Sequence, residues 1–212
     1  GTSNLDIIDV DGAANFAADV TFATGADIIT TSLGTSNLRL GVNAGDAILS
    51  GGTFNTVVGD ESGTEITTGD HITAVGYQAG AGMTTGDQSC FFGSQAGKVT
   101  TGSNNNFFGA YAGVANTTGN NNVAIGALAL FTNVDGDNNI AIGSNALKTL
   151  EPADGASNNT AVGSNAGFAL ATGTNNTFFG AYAGDLTDDG ASNTAVGFSA
   201  LSANCGDYNV AI

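Results

Sequence analysis

Residues able to do chemistry are few in this chain. It has 212 residues, one histidine (His71) and two cysteines, Cys90 and Cys205. A nucleophilic triad needs a base beside its nucleophile, and His71 sits in a turn-like stretch. A zinc site needs several His or Cys at close spacing, so His71 reads as a surface turn residue rather than a ligand. The acids gather in turn-like stretches: Glu61 with Glu65, Asp135 with Asp137, Glu151 with Asp154, and Asp185 with Asp188 and Asp189. Glycosidase chemistry needs two carboxylates held at a set distance, whereas these read as solvated loop acids. They match neither the EF-hand loop nor the nonapeptide Ca²⁺ repeat. The Gly-rich stretches lack the Lys-Ser/Thr ending of a phosphate loop. No catalytic residue, metal ligand or cofactor site is expected.

Three polar or aromatic rows remain as binding candidates. Asn recurs at Asn55, Asn105, Asn122, Asn139, Asn159, Asn176, Asn193 and Asn209, with His71 and Ile72 breaking the row at one copy. Asn tolerates left-handed turns and bonds nearby backbone, so a structural side-chain ladder is expected, with glycan binding as the alternative. Thr pairs at Thr67-Thr68, Thr84-Thr85, Thr100-Thr101 and Thr117-Thr118 precede turn glycines. Adjacent residues of a strand point to opposite faces, so these pairs read as turn formers rather than as a flat ice-binding ladder. Tyr111 and Tyr182 either stack on sugars or pack, and packing is the expectation. Cys90 and Cys205 occupy different places in the repeat and read as free thiols.

These rows exist because the chain repeats. A core of Asn, a small or β-branched residue, two apolar residues and Gly recurs, with Gly at 59, 76, 93, 109, 126, 143, 163, 180 and 197, mostly 17 residues apart. Ala follows three residues after the Gly, from Ala79 to Ala200, with Ser62 in the first copy, and a turn Gly closes each copy. Leu38-Arg39-Leu40-Gly41 is a weaker early copy. Phe107-Phe108-Gly109-Ala110-Tyr111-Ala112-Gly113 returns unchanged at Phe178 to Gly184, which reads as a duplicated block of four copies. A unit of this size cannot bury a core alone, but a stack can. The chain is therefore expected to be all-β: a β-solenoid whose coil has one strand of about five residues, a Gly bend, a short second strand around the Ala and a polar turn. Residues 51–212 form the repeat domain. Residues 1–50 are less regular and read as a β stalk or adaptor, with alternating Phe16, Ala18, Val20 and Phe22 as a half-buried strand.

Strand alternation puts Val123 and Ile125 on one side and Ala124 on the other. One row fills the coil. The other, Val57, Ala74, Phe91, Phe107, Ala124, Ala141, Ala161, Phe178, Ala195 and Ala211, is apolar in every copy and would be a sticky stripe if solvated. These residues are the expected interface with other copies of the chain, with packing of both rows inside one thick monomeric coil as the alternative.

Composition narrows the partners. Three Lys and Arg stand against 19 Asp and Glu, a net charge of −16. Phosphate backbones and anionic membrane surfaces are repelled, so neither nucleic acid nor membrane is an expected partner. No apolar run approaches transmembrane length, and no signal-peptide start is recognisable. An acidic, Lys-poor surface suits a salty medium that screens self-repulsion.

Asn122-Val123-Ala124-Ile125-Gly126, with Ala129 following, resembles the head repeat of YadA-like trimeric autotransporter adhesins. That resemblance implies a left-handed parallel β-roll, three chains around an axis, and binding of host surface molecules. The longer repeat, with Asn175-Asn176-Thr177-Phe178-Phe179-Gly180-Ala181-Tyr182-Ala183-Gly184, is more similar to repeats of phage tail fibres, and residues 9–16 resemble a tail-fibre shaft. The likeness implies an extracellular, homotrimeric virion tail fibre that attaches to a host cell-surface receptor or glycan, without enzymatic activity. A bacterial surface adhesin of the autotransporter kind and a purely structural spacer are the alternatives.

Overall fold

A computed structural model describes residues 33–151, 155 and 157–212. The alternating segment at 16–22, the shaft-like segment at 9–16 and Asp154 lie outside the described residues. Eleven short strands appear in chain order: β1 (Leu38–Leu40), β2 (Thr56–Val58), β3 (Thr73–Val75), β4 (Cys90–Phe92), β5 (Asn106–Phe108), β6 (Val123–Ile125), β7 (Ile140–Ile142), β8 (Thr160–Val162), β9 (Thr177–Phe179), β10 (Thr194–Val196) and β11 (Val210–Ala211). Each pairs in parallel with the next, in sequence order, to form one sheet. The register carries Val57 over Ala74, then Phe91, Phe107 and Ala124. The molecule is a parallel β-solenoid, one coil per repeat. At ~4.8 Å per strand its ten coils make a rod of about 50 Å.

The roll begins before residue 51. Leu38-Arg39-Leu40 pairs with Thr56-Val57-Val58, so residues 38–50 belong to the solenoid rather than to a stalk. Arg39 takes the inward register position of that coil. Its Nε donates to the Ala44 carbonyl at 2.7 Å, and its guanidinium meets Asp46 at 3.0 Å. The three extra residues between Gly143 and Gly163 leave the strand register intact, because Ile140 still pairs with Thr160.

The strands are shorter than expected, and the segment around the Ala is a chain of turns instead of a second strand. The cause is the backbone sign. Gly109, Tyr111 and Gly113 all have positive φ (141°, 60° and 57°), which breaks the extended conformation every second residue. The turns still stack: Gly63 N–H donates to the Ala79 carbonyl and Gln78 N–H to the Asp60 carbonyl. At the bend itself only Gly fits. A Cβ on Gly109 would sit 2.6 Å from the Gly126 carbonyl oxygen of the next coil.

The interior is filled by columns of complementary size. Phe107, Phe91 and Phe178 are fully buried, and the residue six positions later is Gly in each case. A Cβ on Gly113 would lie 2.6 Å from Phe107 Cδ2, and one on Gly184 would lie 2.6 Å from Phe178 Cε1. Where the strand centre shrinks to Ala124 or Ala141, that later position is Leu130 or Leu147, also fully buried. Large and small residues thus exchange places while the volume of each coil is held, as close packing demands. One position further in, three residues on, Ile66, Met83, Leu150 and Leu170 complete coils with small centres, whereas Thr100, Asn116 and Thr187 occupy the coils with Phe.

The Asn row is a clasp. Asn122 Nδ2 donates to the Gly136 carbonyl at 2.7 Å, tying the start of its coil to the end. Its Oδ1 accepts from the backbone N–H of Asn139 at 2.9 Å in the next coil. The same pair of bonds recurs at Asn55, Asn105, Asn159 and Asn176. All are buried, so these amides serve structure and no glycan can reach them.

Candidate functional site

The expected partner-facing row is on the inside. Val57, Ala74, Phe91, Phe107, Ala124, Ala141, Ala161, Phe178 and Ala195 have no accessible surface within a single chain. Only Ala211, at the last strand, is partly exposed. The register does bring them into one column, but that column is the core, so the nine buried members cannot touch a partner copy. The two-residue alternation was legible. Which side of it faces inward is set by the bends, which turn the chain towards the side of the central residue.

The face left outward consists of the first and third residues of each strand. The third-position column runs Val58, Val75, Phe92, Phe108, Ile125, Ile142, Val162, Phe179 and Val196, apolar in every coil and half-buried to exposed. Phe92 and Phe108 stack with ring centroids 5.1 Å apart and planes 5° from parallel. Phe179 is 58% exposed. The first-position column is mixed: Thr56, Thr73, Cys90, Asn106, Val123, Ile140, Thr160, Thr177, Thr194 and Val210. From β2 to β11 no strand residue is charged, in a chain of net charge −16. The charge has been kept off this face and placed on the turns.

The remaining candidates lie on other sides of the coil. His71 is exposed, has φ 58° and stacks on Phe54 at 5.1 Å, a surface turn residue as its sequence context suggested. The first Thr of two pairs is spent on coil stacking: Thr67 Oγ1 donates to the Thr84 carbonyl and Thr117 Oγ1 to the Val134 carbonyl, both at 3.0 Å. Cys90 and Cys205 are free thiols; Cys90 lies on the outer sheet face. Tyr111 and Tyr182 are 42% and 41% exposed, so each is half platform and half packing. Among the described residues no group of three His, Cys, Asp or Glu is placed to hold a metal ion.

A second ladder runs along an exposed corner. Asp70 Oδ1 accepts from the backbone N–H of Thr53 at 2.6 Å, Asp87 Oδ1 from Asp70, and Asp137 Oδ1 from Asn120. These turn acids therefore splice neighbouring coils. From sequence Asp137 reads as a solvated loop acid, because no spacing rule marks a carboxylate bonded to the coil before it.

The chain matches no known family model, and no curated protein or solved structure is similar to it.

Proposed function

We propose that this chain is a stiff structural and adhesive segment of an extracellular fibre, assembled from copies of itself through the outer face of its sheet. The observation that supports this reading is the uncharged apolar column from Val58 to Val196 on a chain of net charge −16. Like-charged copies repel except where charge is absent, and monomers avoid long solvated apolar stripes. The area is adequate. About ten coils at ~4.8 Å and strands ~10 Å wide give roughly 500 Å² per face, or about 1,000 Å² per pair, near the threshold for a specific interface. All coils share one spacing, so two such faces can meet along their whole length in register.

The copy number, three, and the attachment role come from the likeness to trimeric adhesin heads and tail fibres. The 17-residue repeat and the Asn175 to Gly184 block favour a phage tail fibre that carries weak host contacts in triplicate, where avidity multiplies them. Light scattering tests the assembly: the mass should be three times 20.7 kDa. Phe108→Lys, on the outward column, should return it to 20.7 kDa with the fold intact by circular dichroism. A monomeric wild-type chain would overturn the proposal.

A further inference from the structure

We propose a binding subsite for a neutral hexose on the turn side of the roll, at Tyr182. It rests on the reading of the chain as an attachment fibre and names the chemistry of what is attached. A shallow depression of about 190 Å³, room for one sugar ring, is lined by Asn165, Phe168, Tyr182, Asp185 and Leu186. Two successive coils build it. Asn165 and Tyr182 sit at equivalent corners with φ 55° and 59°, and Tyr182 N–H bonds the Ser164 carbonyl at 2.9 Å, which fixes the aromatic one coil from the amide. Phe168 and Asp185 hold the next equivalent pair, fixed by Ala169 N–H on the Asp185 carbonyl at 3.0 Å.

The lining has two parts. Phe168, Tyr182 and Leu186 offer apolar surface. Asp185, half-buried, offers a carboxylate, and Asn165 offers an amide. The complement is a molecule with a flat C–H face for the aromatics and hydroxyl donors at its edge, which describes a saccharide. An anionic ligand is disfavoured by Asp185 and by the net charge of −16. A cationic peptide is disfavoured because Lys148 Nζ already stands 5.4 Å from the Phe168 ring centroid.

The duplicated block supplies an internal control. Tyr111 has the same seven-residue context, the same exposure and φ 60°, but Gln95, Lys98 and Val114 stand where Tyr182 has Asn165, Phe168 and Asp185. The subsite is thus specific to the second block.

Saturation-transfer NMR on the full chain tests it, with methyl glycosides of glucose, galactose, mannose and N-acetylglucosamine as probes. At least one should receive transfer at its ring C–H protons. Tyr182→Ala should weaken that binding about tenfold, the usual scale for losing a stacking platform, while Tyr111→Ala leaves it unchanged. Asp185→Asn, which keeps the shape, should weaken it severalfold. Circular dichroism establishes that each variant is folded. Absence of transfer to all four probes, equal loss in Tyr111→Ala, or displacement of the glycoside by tetralysine would each overturn the subsite. A chain that assembles yet binds no probe refutes the subsite alone; a monomer that binds one refutes the assembly alone.

Discussion

If Phe107 and Gly113 share one volume, exchanging their sizes should rescue what each change alone destroys. Phe107→Ala empties a fully buried site and should cost about 3–5 kcal/mol. Gly113→Leu forces a Cβ to 2.6 Å from Phe107 Cδ2 and Cζ, at φ 57°. Overpacking of about 1–3 kcal/mol and left-handed strain of about 1 kcal/mol add to about 2–4 kcal/mol. Independent effects would sum to about 5–9 kcal/mol. The double variant instead rebuilds the next coil, where Ala124 faces Leu130 at φ 53° and the same Asn follows at 133 as at 116. It keeps the left-handed Leu strain and loses the Phe91–Phe107 contact at 5.6 Å, together about 2 kcal/mol. A coupling of at least about 3 kcal/mol follows, the upper end for neighbouring residues. Urea unfolding by circular dichroism reads the global effect. Solenoids unfold coil by coil, so exchange of the Gly113 amide, bonded to the Ala129 carbonyl at 3.0 Å, reads the local one. A double variant no more stable than the worse single would refute the shared-volume reasoning.

Two further outcomes are expected. Asn122→Ala removes the acceptor of the Asn139 N–H and the donor to Gly136, leaving buried backbone groups unpaired; it should cost about 2–5 kcal/mol and accelerate exchange at Asn139, whereas unchanged exchange there would show that the clasp is dispensable. Cys90 lies on the outer sheet face and Cys205 on a turn, so a thiol reagent should label Cys205 at the same rate in wild type and Phe108→Lys, but Cys90 faster in the variant; equal Cys90 rates would place the assembly face elsewhere.

Periodicity alone made the solenoid legible, since the spacing of Gly59, Gly76 and Gly93 states the coil length and the parallel register follows from it. The Asn ladder was legible for a related reason: a buried amide repeated once per coil has the backbone of its own coil and of the next as partners. The second strand was misread because apolar residues at Ala112 and Ala129 look the same in a strand and in a chain of turns; the left-handed backbone at Tyr111 and Leu128 tells them apart, and those residue types do not advertise it. The subsite at Tyr182 was half legible. The tyrosine stood out through duplication, but Phe168 and Asp185 reach it from positions whose proximity exists only once the coils are stacked.

The inversion of the two strand faces is the most instructive difference. Both the Ala124 column and the Ile125 column are apolar in every copy, so hydrophobicity cannot choose between core and interface. Size in the sequence cannot either. In the Ala124 column the residue ranges from Ala to Phe, and the coil answers six or nine residues later: Phe107 has Gly113 and Asn116, Ala124 has Leu130, and Ala74 has Gly80 but Met83. Such compensation is needed only where two side chains share an enclosed space. The Ile125 column is large in the same coils, since Phe92, Phe108 and Phe179 directly follow Phe91, Phe107 and Phe178, so size does not separate the two columns; contact does, because a Cβ on Gly113 would meet the Phe107 ring whereas Phe179 is 58% exposed. The bends and the stacked coils, rather than the residue pattern, tell the inside of this solenoid from the apolar face that we propose it presents for assembly.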